Sequence, residues 1–244
     1  MRNALPRTED LLKKAVAHYW RTLNRQSQKQ KSGDADRGGR AAVTGGKQMD
    51  GFCDLVQKIL VHNDLPEASI YSHDRLELPG YFRPTKRWDM LVIHDEHLIA
   101  AIEFKSQTGP SFGNNFNNRT EEALGSAVDL WTAYREGAFG RAQPRPWLGW
   151  VMLLEESPQS LTPVALKEPH FGAFAEFQGS SYAARYELLL RRLLLEKIYD
   201  RAALILATAA GGPRGAYREP ADDLTMKRLL AGLAGHVLGY VSGR

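Results

Sequence analysis

Trp88-Asp-Met-Leu-Val-Ile93, then His94-Asp-Glu-His97, then Leu98-Ile-Ala-Ala-Ile-Glu-Phe-Lys105, is one stretch that runs apolar, polar, apolar. Two short apolar runs around a polar interval read as antiparallel strands joined by a tight turn. Pairing them brings Asp89, at the start of the first strand, close to Glu103, near the end of the second. Side chains alternate along a strand, so Glu103 and Lys105 share one face while Phe104 points to the other and can bury its ring. The run Leu98-Ile-Ala-Ala-Ile102 reads as a central strand, where an unpaired charge is costly unless it has a functional partner.

Two carboxylates and one ammonium at such a place read as a divalent-metal site for cutting phosphodiesters. Hard cations such as Mg²⁺ take oxygen ligands from one or two carboxylates plus substrate phosphate and keep several waters. Asp89, Glu103 and the Phe104 carbonyl could supply that incomplete shell. Lys105 could then orient an attacking water and offset charge developing on the phosphorus centre. The bland alternative is a solvated Glu-x-Lys pair worth less than about 1 kcal/mol. The apolar run that leads into Glu103 argues against it.

The chain has 244 residues, enough for one domain with a full core, and a single endonuclease-type domain over 1–244 is the expectation. Hydrophobic residues make up 43% and charged ones 25%, the balance of an ordinary globular protein without a bilayer-spanning run. The start, Met1-Arg-Asn-Ala-Leu-Pro6, has no apolar leader segment, which predicts a cytoplasmic protein with no membrane partner. One cysteine, Cys53, excludes an intrachain disulfide and a multi-cysteine zinc site. The net charge is only +4, but Lys and Arg cluster locally, which suits a polyanionic partner.

Along the chain, Thr8 is placed to cap a helix carrying Leu11, Leu12, Val16 and Tyr19 or Trp20 at helical spacing, and Asp50 to cap a second reaching about His62. Between them, 26–48 is rich in Gln, Lys, Arg, Gly and Ser and reads as a mobile basic loop. Extended segments are predicted near 69–71 and 76–78, before a Pro79-Gly80 turn. Beyond Lys105 the pattern gives a polar loop over 106–119, a helix from about Thr120 to Arg135, a buried strand over 147–154, a helix over 182–199, an interior strand over 202–208, and a last helix capped by Asp222 or Asp223. That order predicts an α/β protein with a mixed central sheet flanked by helices.

Other motifs carry less. His94-x-x-His97 falls in the turn, where polar residues belong, and Gly45-Gly46-Lys47 lacks the spacing of a phosphate loop. No nucleophilic serine elbow or Cys/His pair stands out. In Ser111-Phe-Gly-Asn-Asn-Phe-Asn-Asn-Arg119, the side chains of Asn114, Asn115, Asn117, Asn118 and Arg119 are of the types that read adenine and guanine edges in the major groove. The same segment could instead be a turn cluster satisfying its own backbone. Arg83, Lys86 and Arg87 are placed to touch phosphates, positioning DNA without reading it. The residues alone leave three readings open: a sequence-specific nuclease, a structure-specific or repair nuclease, and a non-catalytic DNA-binding protein.

Asp89 with Glu103-Phe104-Lys105 resembles the PD-(D/E)XK nuclease motif, with Trp88 in place of the usual Pro. The whole chain is similar to the XhoI family of type II restriction endonucleases, through Arg83-Pro-Thr-Lys-Arg-Trp-Asp89, through Ala101-Ile-Glu-Phe-Lys-Ser-Gln-Thr-Gly-Pro-Ser-Phe-Gly-Asn-Asn-Phe-Asn-Asn-Arg119, and through Glu121-Glu-Ala-Leu-Gly125. The resemblance implies a PD-(D/E)XK core and a homodimer that cuts both strands of double-stranded DNA at the palindrome CTCGAG with 5′ overhangs. It also implies Mg²⁺ as cofactor, a cognate methyltransferase as functional partner, and an acid from the first helix, here Glu9, joining the metal site.

Overall fold

The computed structural model describes residues 5–31 and 46–242. Seven strands are described: β1 (Ile70–Tyr71), β2 (Glu77–Pro79), β3 (Thr85–Arg87), β4 (Met90–His94), β5 (His97–Gln107), β6 (Trp147–Glu155) and β7 (Arg201–Ala207). The helices are α1 (Thr8–Lys31), α2 (Gly46–His62), α3 (Phe112–Arg135), a single turn α4 (Pro158–Leu161), α5 (Tyr182–Leu195) and α6 (Met226–Ser242). Five strands form one sheet in the order β1-β4-β5-β6-β7, and β2 with β3 makes a separate hairpin. β1, β4 and β5 pair antiparallel, whereas β5, β6 and β7 pair parallel. The class is therefore α/β with a mixed sheet.

β5 is the seam between the two halves and the middle strand of the five, as its near-continuous apolar run requires. The β4–β5 turn places Asp95 and Glu96 at φ 47° and 64°, the left-handed pair that lets a two-residue connection follow strand twist. Registers Met90 with Ile102 and Leu91 with Ala101 set Asp89 opposite Glu103 as the ladder ends.

One face of the sheet packs on α1, α2 and α6 through residues such as Val16, Phe52, Ile59, Phe104 and Leu230. The other packs on α3 and α5 through Trp88, Ala127, Leu130, Trp150 and Leu190. Each large apolar side chain so buried contributes about 1.5–3 kcal/mol relative to exposure.

Several boundaries differ from those read in the sequence. Residues 26–31 continue α1 and 46–48 already belong to α2, so the basic segment is shorter than expected, and 32–45 lie outside the described residues. Asp50 is within α2, not at its start. α6 begins after a 3-10 turn at Asp222–Leu224, with Thr225 Oγ1 accepting from Arg228 N at 3.3 Å and Glu219 Oε1 from Met226 N at 2.5 Å. α5 ends at Leu195, and β7 is an edge strand although every residue after Arg201 is buried.

The largest difference is α3, which starts at Phe112 and not near Thr120. Asparagine is a weak helix former, but tertiary contacts override it here. Phe112 is 3% exposed, Phe116 packs edge-on against Tyr186 at 5.1 Å, and Gln107 Nε2 donates to the Phe112 carbonyl at 3.1 Å. The predicted polar loop is the opening of a long helix.

Candidate active site

Asp89 lies at the entrance to β4. Its Oδ2 accepts the backbone N–H of Phe104 at 2.8 Å and the Lys105 ammonium at 3.0 Å. The sequence expectation that the strand pair joins Asp89, Glu103 and Lys105 therefore describes a real cluster. Burial alone would raise the Asp89 carboxyl, but Lys105 and the Phe104 N–H outweigh it and hold Asp89 below the usual carboxylate range.

Glu103 is 1% exposed. Burial, and then the charge of Asp89, push its carboxyl up to about 7, while Lys105 and Lys86 act in the opposite direction. The Lys86 ammonium bonds to Oε1, and the Lys105 ammonium lies against Oε2 as an ion pair. Each Glu103 oxygen is thus met by a lysine ammonium. Burial would lower the Lys105 ammonium, but Glu103 and Asp89 together raise it, so the lysine stays charged. On the opposite face, the Phe104 ring joins the core beside Phe52 at 6.5 Å between centroids.

A cavity of about 810 Å³ opens onto Asp89 and Lys105, bounded also by Asp50, His73, Arg87 and Arg119. The oxygens offered to a hard cation are those of Asp89 and Glu103 and the Phe104 carbonyl. Among the described residues no three His, Cys, Asp or Glu side chains gather as a metal cage. Two neighbouring carboxylates are a donor set that fits a hard cation completing its shell with water and substrate oxygens.

Glu9 stands apart from this cavity. It is on the exposed first turn of α1, paired with Lys13 at 2.6 Å. The helix-borne acid that the fold does bring to the cavity is Asp50 of α2.

The predicted phosphate contacts divide. Arg87 is half exposed at the cavity, bonded to Glu77 Oε1 at 2.8 Å and to the His73 carbonyl at 2.7 Å. Arg83 Nε is paired with buried Asp129 at 2.6 Å and ties the tip of the β2–β3 hairpin to α3. Lys86 is turned inward onto Glu103 and away from solvent.

Asn114, Asn117 and Asn118 are exposed on the opening turns of α3, at the i, i+3, i+4 spacing of one helical face, with Asn115 partly covered. Arg119 reaches the cavity that Asp89 and Lys105 line, pairs with Glu122, and leaves a buried Nε without a partner.

Sequence reasoning passed over Asp129. Its Oδ1 accepts the Tyr81 and Phe82 N–H groups at 2.7 and 2.9 Å. The signal was present: an acid on the helical face that also carries Ala123, Ala127 and Leu130 needs a partner.

A mixed five-stranded sheet with an Asp, Glu and Lys cluster where β4 begins beside β5 fits the core of a PD-(D/E)XK-type nuclease. The family model described as restriction endonuclease XhoI matches residues 28–219. The type II restriction enzyme BstVI of Geobacillus stearothermophilus is 50% identical over 214 residues, covering 86% of this chain and 95% of that protein. The type II restriction enzyme XhoI of Xanthomonas vasicola is 44% identical over 216 residues, 86% of each chain. AbrI of Azospirillum brasilense is 56% identical over 161 residues, 65% of this chain and 72% of that one. No solved structure matches the chain. The chain belongs to the XhoI family of type II restriction endonucleases. Among the described residues no helix is long and apolar enough to cross a membrane.

Proposed function

We propose that this chain hydrolyses both strands of double-stranded DNA at the palindrome CTCGAG, leaving 5′ overhangs, as a Mg²⁺-dependent homodimer. The observation that carries the catalytic part is the ion-paired contact of Asp89, Glu103 and Lys105, with Asp89 and Lys105 lining one cavity. Membership of the XhoI family supports sequence-specific cutting over the structure-specific and non-catalytic alternatives.

In this reading Asp89, Glu103 and the Phe104 carbonyl hold the cation, which supplies Lewis-acid stabilisation of charge at the scissile phosphate. Asp89 is kept ionised by Lys105 and so remains a ligand at neutral pH. Lys105, held between two carboxylates, orients the attacking water and offsets negative charge in the transition state. Arg87 and Arg119, at the cavity edge, meet the phosphate backbone. Asn114, Asn117 and Asn118 offer their amides to base edges, with Asn115 beside them.

A two-fold dimer suits a two-fold target. Self-cutting of a host genome implies a cognate methyltransferase acting on the same sequence. Digestion of a plasmid of known sequence with Mg²⁺, followed by sequencing of the ends, tests the proposal. Discrete fragments ending at CTCGAG are expected, and a smear or nicking at junctions would sink it.

A further inference from the structure

Lys86 does not behave as a surface lysine. Its side chain is 12% exposed, and its ammonium meets Glu103 Oε1, donates to the Arg87 carbonyl at 3.0 Å and lies 4.2 Å from the centroid of the Trp88 ring. Trp88 and Glu103 are each 1% exposed. Pinning a long side chain in this way costs rotamer entropy, so the site must gain from it. The gain is electrostatic: Lys86 sets a second ammonium, beside that of Lys105, against a buried carboxyl that sits close to Asp89.

Lys86 reaches the cluster from β3, which pairs only with β2 in a hairpin outside the five-stranded sheet. Its side chain can leave without breaking a strand of the main sheet. Lys105, by contrast, is fixed on the middle strand between both acids.

We infer that Lys86 is a positioning residue that holds the Glu103 carboxylate in the cation-free protein and must release Oε1 before a divalent cation can take it. This rests on the assignment of Asp89 and Glu103 as metal ligands. The lysine keeps a buried glutamate paired and in place, and it makes cation binding to the free protein weak. A nearby DNA phosphate offers the departing ammonium another partner, so cation and DNA favour one another's binding.

The test is calorimetric titration with Ca²⁺ in the absence of DNA, on the wild type and on Lys86→Met, which keeps the aliphatic length and removes the charge. Lys86→Met is expected to bind Ca²⁺ about tenfold tighter or more, because a contacting like charge is gone. Lys86→Arg keeps a charge over Trp88 and is expected to stay as weak as wild type. Adding Glu103→Gln to Lys86→Met should abolish the gain.

Calcium should also raise the melting temperature of Lys86→Met more than that of wild type, which reports binding even where the cation-free variant is poorly folded. Equal or weaker Ca²⁺ binding by Lys86→Met, with Glu103→Gln alone still reducing binding, overturns the role of Lys86 and leaves the metal site standing. A double variant that binds as tightly as Lys86→Met overturns both. Tight binding by Lys86→Arg would show that packing, not charge, was responsible, and would overturn the inference too.

Discussion

The backbone N–H of Phe104 donates to Asp89 Oδ2 at 2.8 Å, so the carboxylate proposed to be catalytic is held by the strand that carries Glu103 and Lys105. Asp89→Asn keeps the shape but removes the charge that Lys105 faces. Cleavage of plasmid DNA is expected to fall by about 10²–10³-fold or more, the scale on which single preorganised electrostatic groups act. Circular dichroism should remain native. Near-normal cutting by the variant would remove Asp89 from the site.

Exposed Asn114, Asn117 and Asn118 can be replaced by alanine without touching the packed face of α3. Each bidentate base contact is worth about 1–3 kcal/mol of discrimination, so the triple variant should lose preference for the cognate sequence in competition binding. Alanine is the better helix former by a few tenths of a kcal/mol per site. The melting temperature should hold or rise while specificity falls, and unchanged specificity would exclude these residues as readers.

Asp129 fastens the hairpin tip, and Gly80 leaves no room beside it: a Cβ there would lie 2.6 Å from the Arg83 carbonyl and 2.8 Å from Asp129 Oδ2. Gly80→Ala and Asp129→Asn should each destabilise the hairpin, by about 1.5–3 kcal/mol for a lost bond to a charged group. Burial works to raise the Asp129 carboxyl, but the Phe82 N–H, Arg83 and the Tyr81 N–H hold it below its ordinary value. A depressed acid stabilises the fold above the unfolded-state value of 3.8 and loses that contribution as pH falls through the lower folded value. Acid unfolding of Asp129→Asn should lack this component, and chemical denaturation at several acidic pH values measures it.

Gln107 joins three elements: it accepts from the buried Tyr186 hydroxyl of α5 and donates to the Phe112 carbonyl at the start of α3. Gln107→Leu strands both partners, at about 1–3 kcal/mol each. The first turn of α3 should lose hydrogen-exchange protection before the sheet does, and uniform protection would refute the link.

How far these features were readable from sequence depends on where their partners lie. Asp89, Glu103 and Lys105 could be placed because strand alternation and a short turn fix their relation locally. β3 was missed because Thr85-Lys-Arg87 is polar and pairs outside the main sheet. Nothing local in the sequence marks Lys86 as buried, because its burial is set by Trp88 and Glu103, which only the fold brings around it. The early start of α3 depends on Tyr186, far along the chain, and on contacts stronger than asparagine's intrinsic preference. Glu9 matched an expected residue type and helix, but its turn of α1 faces solvent, whereas Asp50 of α2 borders the cavity.

The opening turns of α3 are anchored by Phe112 and Phe116 on one side and carry their asparagines on the other. Selection can therefore rewrite the outward positions one at a time while the inward ones keep the helix formed. On the proposed reading of these asparagines as base contacts, a chain built this way can drift toward a new target without passing through an unfolded ancestor.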